Sequence, residues 1–195
     1  MVYGLKIVLA SSSPRRIALL EDLGVDFIQV NPVHRENKSI MDPGKRVEVN
    51  AHGKAESIAP QHPNSLIIGS DTVIFHKGRI LGKPKDLVDA KKMIRSLSGQ
   101  QHIVYTGVSL IDTVSGRTLT MHEETEVWFE ELSDDAVDQY VMTGEPLDKA
   151  GAINIQGLGG HLVDRVKGSF SNVVGLPLEL LREMLAEFEV LVEGH

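Results

Sequence analysis

Residues 5–16 read LKIVLASSSPRR, and this stretch decides the fold. Leu5 to Ala10 form a short aliphatic run rich in β-formers, which is typical of a buried strand. Ser13 stands before Pro14, the arrangement of a helix N-cap followed by proline at the first helical position. The stretch therefore predicts a strand that runs directly into a helix, the unit from which α/β folds are built.

The turn of this strand–helix unit is suited to binding an anion. It presents the hydroxyls of Ser11 to Ser13 and the free N–H groups of a helix N-terminus. Arg15 and Arg16 lie in the first helical turn, where the helix dipole disfavours cations, so an external anion would offset their charge. The alternative is a capped surface helix with two solvated arginines. No GxxxxGK[ST] or GxGxxG motif occurs, which argues against P-loop and Rossmann nucleotide binding.

Strands and helices alternate through the rest of the chain. The run TVSGR, residues 113–117, lies between two strand-like stretches. It predicts a hairpin, and hence some antiparallel strand pairing. We expect strands at 25–30, 65–75, 102–112 and 118–129, a short strand pair after the glycine-rich stretch 144–160, and further helices at 42–58, 86–97, 133–144 and from 177. The pattern predicts one α/β domain, 1–195, with a mixed twisted sheet flanked by helices.

Composition excludes several classes of function. The chain of 195 residues has 27 acidic and 20 basic residues and a net charge of −7, the wrong sign for binding nucleic acid. It has no cysteine, so it offers neither disulfides nor a thiolate metal site. Its eight histidines lack HExxH or HxH spacing, and His102, at the start of a strand, is more typical of a hydrogen-bonded structural histidine. No signal peptide or membrane span is evident, so we expect a cytoplasmic protein.

Two further stretches hold candidate site residues. Asp71 ends an otherwise aliphatic run, where it is either a cap or salt-bridged core residue, or a base or metal ligand at a strand end. Lys83 lies between Gly and Pro in a loop, either solvated or neutralising phosphate. In the glycine-rich stretch 148–160, Lys149 and Gln156 are able to hydrogen-bond a ligand, unless the stretch is simply a flexible surface loop.

Taken together, these motifs resemble the Maf family of nucleoside triphosphate pyrophosphatases. The matching blocks run in order from Leu9 to Pro177 and read LASSSPRR, GSDT, GKP, SGQQHIVYTGV, GEPLDKAGA, IQGLGG and GSFSNVVGLP. The resemblance implies an inosine triphosphatase-like (HAM1) fold of two lobes with a cleft. It also implies hydrolysis of a nucleoside triphosphate to the monophosphate and pyrophosphate, with a divalent cation, Mg²⁺ or Mn²⁺, in a homodimer.

The resemblance also assigns residues to the triphosphate. Ser11, Arg15 and Arg16 match the phosphate-binding turn of the family. Lys54 and Lys83 match two of its lysines. We expect these five residues to hold the phosphates, with Lys83 acting close to the reaction.

Other positions match the reaction and the choice of base. Asp71 corresponds to the catalytic base and Glu36 to a functional acid, so we expect these two carboxylates to hold the metal. Thr72 and Gln156 correspond to positions that select the nucleobase, and we place Lys149 with them in substrate binding.

The chain departs from the family pattern at two places. Members usually have two acids where this chain has Arg35 and Glu36, and a tyrosine at Ile153. The GSFSNVVGLP block resembles the branch that acts on dTTP and UTP. The alternatives are a 7-methyl-GTP-type pyrophosphatase and a non-catalytic nucleotide-binding regulator of septum formation, which would need no base at Asp71.

Overall fold

The computed structural model describes residues 5–190, so both ends of the expected 1–195 domain lie outside the described residues. The strands are β1 (Lys6–Ala10), β2 (Phe27–Val30), β3 (Ser65–His76), β4 (Arg79–Leu81), β5 (Gln101–Asp112), β6 (Thr118–Phe129) and β7 (Val163–Lys167). The α-helices are α1 (Pro14–Asp22), α2 (Pro43–Ile58), α3 (Leu87–Leu97), α4 (Asp134–Met142), α5 (Phe170–Val174) and α6 (Leu178–Ala186).

The strands form one mixed sheet. Its order is β2-β1-β3-β5-β6-β7, and β4 pairs with β3 outside this path. β1 is parallel to both of its neighbours, whereas β3, β5, β6 and β7 are successively antiparallel. The sheet is therefore parallel at the β2 end and antiparallel at the β7 end, as the hairpin motif predicts.

The two faces of the parallel end are covered by different helices. On one face, Leu9 of β1 and Leu66 of β3 pack in a core with Leu20 of α1 and Leu181 of α6. On the other face, the alternate β-strand residues pack against α2, as Ile67 does against Ala55 and its neighbours. This alternation buries nearly every side chain of β3, which explains its continuous apolar run.

Two glycines let α2 lie directly on the sheet. A Cβ at Gly69 of β3 would be 2.1 Å from the carbonyl oxygen of Ala51, and one at Gly107 of β5 would be 2.4 Å from that of Val47. Real Cβ atoms do not approach backbone this closely. The absence of side chains at these two positions thus sets the height of α2 above the sheet.

A second core lies at the far end of the long strands. Ile74 of β3, Val104 of β5 and Val127 of β6 pack there with Ile94 of α3 and Val137 of α4, among others. Because β3 carries side chains into both cores, the sheet links two lobes. This agrees with the expected two-lobed α/β fold.

The structure adds detail to one expectation and corrects another. The glycine-rich stretch contains short 3₁₀ turns, at Glu145–Asp148, Ala150–Ala152 and Leu158–Leu162. The strand pair predicted after it was wrong, since β7 alone forms, against β6. Gly168 then takes a left-handed φ of +124°, and Ser169 caps α5 by accepting a hydrogen bond from the Asn172 amide, so a helix replaces the second strand. Among residues 5–190, no helix is long and apolar enough to cross a membrane.

Candidate active site

The candidate site lies at the carboxyl end of β1. β1 pairs with β2 on one side and β3 on the other, and the helices that follow β1 and β2 cover opposite faces of the sheet. When successive connections leave a sheet on opposite faces, a crevice opens at the ends of the strands between them. Ligands bind in such crevices in open α/β sheets. A cleft of about 630 Å³ is present there, and it is lined by residues of both lobes.

The turn after β1 forms one wall of the cleft. Ser11 is buried, and its hydroxyl accepts a hydrogen bond from the Ser13 amide at 3.1 Å, which fixes the turn. Ser13 is the N-cap of α1, but its side chain makes no capping hydrogen bond. The first turn of α1 is therefore left with free amides and a free hydroxyl beside the cleft, as an anion site requires.

The two arginines of α1 are held by the C-terminal end of α5. The Nε of Arg16 donates to the Gly175 carbonyl at 2.7 Å, and the Nε of Arg15 donates to the Val174 carbonyl at 3.3 Å. Burial lowers the pKa of both guanidinium groups, although Asp71 raises that of Arg16 and Asp148 that of Arg15. Both arginines line the cleft with their direction fixed, rather than being solvated on a surface helix.

Asp71 is the centre of a buried polar cluster. Its carboxylate is 5% exposed and accepts hydrogen bonds from Lys54 Nζ at 2.5 Å and from Asn50 Nδ2 at 3.1 Å. Lys54 also donates to Glu36 at 3.0 Å, so one ammonium group bridges two carboxylates. Asn50 and Lys54 are four residues apart on α2, which places both on the helix face that covers the sheet.

The charge at this end of the cleft is balanced by lysines. Burial alone would raise the pKa of Glu36, but the charge and hydrogen bond of Lys54 outweigh it, with Lys83 and Lys38 adding to the effect, so the pKa lies below its usual value. Lys83 is exposed and lines the cleft. The structure thus brings Glu36, Lys54, Asp71 and Lys83 together at one end.

Thr72 lies between this end and an apolar one. Its hydroxyl receives a hydrogen bond from Arg16 Nη2 at 2.8 Å and lies 3.0 Å from the hydroxyl of Thr106. Beyond Thr72, the cleft is lined mainly by aliphatic side chains, those of Ile74, Ile80, Val104, Val127, Ile153, Val163 and Val173. An apolar end beside a charged end suits a nucleoside joined to phosphates.

His102 lines the apolar end, contrary to the expectation of a hydrogen-bonded structural histidine. It is 2% exposed, and its Nδ1 is buried without a hydrogen-bond partner among the described residues. Its ring packs edge-on against Phe129. Burial, together with the neighbouring His76, lowers the pKa of His102 to about 4, so its imidazole is neutral near pH 7.

Three sequence-derived positions lie apart from the cluster. The Gln156 side chain is exposed and is not among the residues lining the cleft. Lys149 also lies outside the lining and forms an ion pair with Asp148, which does line it. Arg35 is exposed and does not line the cleft, whereas Ile153, the other departure from the family pattern, does.

Several polar residues that line the cleft were not predicted from the sequence, among them Asn50, His34 and Asp148. Asn50 was detectable, because it precedes Lys54 by one helical turn. His34 packs over Gly53 of α2 and has a buried Nε2 without a partner among the described residues, a contact that no sequence spacing signals. Asp148 was not predicted, because the sequence around it has no helical or strand periodicity that would indicate which way its side chain points.

The donor chemistry of the cleft fits a hard divalent cation. Glu36 and Asp71 offer carboxylate oxygens, both of which contact Lys54, and Mg²⁺ is commonly bound by one or two carboxylates together with substrate phosphates. Residues 5–190 contain no group of three or more His, Asp or Glu side chains placed to hold a metal on their own. A cation held by Glu36 and Asp71 would take further ligands from outside these side chains, such as water or phosphate oxygens.

Comparison with known proteins identifies the family. The family model for Maf-like protein matches residues 6–188. The chain is 45% identical over 191 residues to a dTTP/UTP pyrophosphatase of Moorella thermoacetica, covering 97% of this chain and 98% of that protein. It is 42% identical over 185 residues to a dTTP/UTP pyrophosphatase of Dictyoglomus turgidum, covering 94% and 96%.

A solved structure supports the fold. The Staphylococcus aureus Ham1 protein superposes with a TM-score of 0.54 at 14% sequence identity, over 94% of this chain and 99% of that one. This similarity concerns the fold alone, which is the inosine triphosphatase-like arrangement expected from the sequence. With the match to the family model along nearly the whole chain, it follows that this chain belongs to the Maf-like protein family.

Proposed function

We propose that this protein is a nucleoside triphosphate pyrophosphatase that hydrolyses dTTP and UTP to the monophosphate and pyrophosphate. The observation that carries the proposal is the buried Asp71 carboxylate, held by Lys54 and Asn50 beside a helix N-terminus suited to phosphate. The relatives named dTTP/UTP pyrophosphatase, at 42% and 45% identity, support the choice of substrate.

The charged end of the cleft binds the triphosphate. The Ser11 hydroxyl and the free amide N–H groups of α1 donate hydrogen bonds to one phosphate at the positive end of the helix dipole. Arg15, Arg16 and Lys83 supply positive charge around it, which a protein of net charge −7 must concentrate locally to hold a tetra-anion. The nucleoside then extends toward the apolar end, past Thr72.

Asp71 acts as the general base in this proposal. It accepts a proton from a water molecule whose oxygen attacks the α-phosphorus, and the bond between that phosphorus and the α–β bridging oxygen breaks. The electron pair of the broken bond leaves with pyrophosphate. Lys54 and Asn50 fix the orientation of the carboxylate, so that no reorganisation is needed when the proton moves.

Glu36 and Asp71 are the residues that would hold a divalent cation, Mg²⁺ or Mn²⁺. Such a cation neutralises charge on the phosphates and on the leaving pyrophosphate. Lys54 contacts both carboxylates and so holds the pair together. Chelation with EDTA should abolish turnover, and added Mg²⁺ or Mn²⁺ should restore it.

The assembly and location of the protein also stay proposals. We propose a cytoplasmic homodimer that acts on free nucleotides, without nucleic acid or membrane partners. β2 and β7 are the end strands of the sheet, and the half-exposed Ile28 on β2 is one position where a second copy would gain apolar contact. Light scattering coupled to size exclusion measures the mass directly.

The deciding experiment is a pyrophosphate-release assay across the common NTPs and dNTPs, with 7-methyl-GTP included. Hydrolysis fastest with dTTP and UTP supports the proposal. Preference for 7-methyl-GTP would instead place the chain in the purine-acting branch. Nucleotide binding in a thermal-shift assay without any pyrophosphate release would make it a non-catalytic regulator.

A further inference from the structure

Thr72 is the polar side chain at the junction of the two ends of the cleft, and its hydrogen bonds determine what it can offer a ligand. Its hydroxyl has one proton to donate and two lone pairs to accept with. One lone pair is taken by Arg16, whose Nη2 donates at 2.8 Å. What Thr72 offers to the cleft thus depends on where its proton goes.

The direction of the bond between Thr72 and Thr106 follows from the next link. Thr106 is fully buried, and its Oγ1 lies 3.0 Å from the main-chain carbonyl oxygen of Asn172. A carbonyl only accepts, so the single proton of Thr106 points to Asn172. In the 3.0 Å contact between the two threonines, Thr72 must then be the donor.

The reverse arrangement is disfavoured. If Thr106 donated to Thr72, the Asn172 carbonyl, which belongs to a fully buried residue, would lose this partner. Unpaired buried carbonyls are uncommon and costly. The series of hydrogen bonds from Arg16 through Thr72 and Thr106 to Asn172 therefore has one favoured donor-to-acceptor direction.

We propose that Thr106 is a positioning residue that makes Thr72 a hydrogen-bond acceptor toward the substrate. With its proton given to Thr106 and one lone pair given to Arg16, Thr72 retains only its second lone pair. It therefore takes a ligand group that donates.

The ligand group that fits is the N3–H of uracil or thymine. Thr72 lines the cleft together with apolar side chains such as those of Ile74 and Val104, which would contact the apolar faces of a base. Cytosine has an unprotonated N3 at the same place, which can only accept a hydrogen bond. The lone pair of cytosine N3 would then face the remaining lone pair of the Thr72 oxygen, and no hydrogen bond could form. This inference rests on the proposed function and explains how that site rejects cytosine.

The test compares kcat/KM for UTP, CTP and 3-methyl-UTP, which lacks the N3–H. We expect the wild type to prefer UTP over both. Thr106→Val keeps the shape but removes the hydroxyl, so the Thr72 proton is free to turn to cytosine N3. We expect the UTP-to-CTP ratio to fall about tenfold, the size of one hydrogen bond matched or mismatched. Thr106→Ser restores the hydroxyl and should retain the wild-type ratio.

A double-variant comparison tests whether Thr106 acts through Thr72. Thr72→Val should lower the ratio, and the Thr72→Val/Thr106→Val protein should show the same ratio as Thr72→Val alone. Because each ratio comes from a single preparation, it does not depend on the fraction of the protein that is folded.

Several results would overturn the inference. The first is an unchanged UTP-to-CTP ratio in Thr106→Val. The second is a fall of this ratio in Thr106→Ser as large as in Thr106→Val, and the third is a ratio in the double variant that is the sum of both single effects in free energy. A change confined to the UTP-to-dUTP ratio would mean that the donor is the ribose 2′-hydroxyl and not the base. If the wild type hydrolyses no triphosphate, it is the proposed function that fails, which is a distinct outcome.

Discussion

Asp71 and Thr72 are consecutive residues of β3, yet they are held by helices on opposite faces of the sheet. Asp71 receives the ammonium of Lys54 from α2 at 2.5 Å, and Thr72 receives the guanidinium of Arg16 from α1 at 2.8 Å. Strand alternation turns their side chains in opposite directions. Both reach one cleft because β1 ends at Ala10, opposite Gly69, and β4 pairs with β3 only from Ile74, so residues 70–73 of β3 have neither β1 nor β4 beside them. In the proposed function, a single dipeptide therefore supplies both the general base and a group that contacts the nucleobase.

Asp71→Asn should lower kcat by roughly two orders of magnitude or more, because an amide cannot accept the proton from water. The amide keeps the shape of the carboxylate, so nucleotide binding should change little. Steady-state kinetics with UTP and the dissociation constant from calorimetry measure the two effects separately.

The matched control for this variant is Asp164→Asn, an exposed aspartate on β7 outside the cleft. It should behave like the wild type. An Asp71→Asn enzyme with near wild-type kcat would remove Asp71 from the role of base.

Gly107→Ala should displace α2 from the sheet, because the new Cβ would lie 2.4 Å from the Val47 carbonyl oxygen. Since α2 carries Asn50 and Lys54, the shift should loosen their hold on Asp71. We expect a roughly ten- to hundredfold loss in kcat, the usual size for a misplaced catalytic group. We also expect a loss of about 1–3 kcal/mol in stability.

The control for Gly107→Ala is Gly116→Ala in the β5–β6 turn. Gly116 has a φ of +73° and open space around it, so alanine there strains the backbone of a turn that does not line the cleft and creates no clash with α2. It should lower the melting temperature and leave kcat unchanged. Equal loss of kcat in both variants would show that lower stability, and not the position of α2, explains the effect.

His102 should make the folded state less stable in mild acid. Its pKa is lowered from 6.5 to about 4 by burial and by His76, so the unfolded chain binds the proton more readily. The stability that the neutral imidazole contributes is complete above pH 6.5 and is lost as the pH falls toward 4. Between pH 7.5 and pH 5 the loss is roughly 2 kcal/mol.

Urea unfolding of the wild type and of His102→Gln at both pH values measures this contribution. Glutamine does not titrate, so only the wild type loses this contribution in acid. The difference in the free energy of unfolding between the two proteins should therefore shrink or reverse at pH 5. Parallel pH dependence in both proteins would mean that His102 is not the group responsible.

Local pattern was sufficient to predict most of the fold. The LKIVLASSSP stretch indicated β1 and α1, and the alternation of apolar runs with capped helices indicated the α/β class. The strand pair predicted after the glycine-rich stretch was wrong for residues 168–174, GSFSNVV, whose short apolar pattern does not distinguish a strand from a helix. Its actual conformation depends on Gly168 and on the Ser169 cap, which turn the chain into α5.

The site was less predictable than the fold. Motifs identified Asp71, Lys54 and Arg16 one by one, but their partners come from distant parts of the chain. Arg16 contacts Gly175, 159 residues away, and Thr106 contacts Asn172, 66 residues away. Local sequence periodicity does not indicate contacts between residues so far apart. The donor-to-acceptor direction of the hydrogen bonds through Thr72 could therefore be derived only from the structure.

Gln156→Ala should narrow the gap between UTP and CTP hydrolysis, but by less than Thr72→Val does. The resemblance to the Maf family assigns Gln156 to base selection, and its amide can pair with the alternating carbonyl and N–H edge of uracil. Its side chain is nevertheless exposed and outside the lining of the cleft, so any contact with the base is shared with water and weaker than a buried one. Values of kcat/KM for both nucleotides in Gln156→Ala, Thr72→Val and the wild type decide the order, and Gln100→Ala, a glutamine that does not line the cleft, serves as control. A larger change in Gln156→Ala than in Thr72→Val would mean that the glycine-rich stretch closes over the nucleotide and provides the dominant contact with the base.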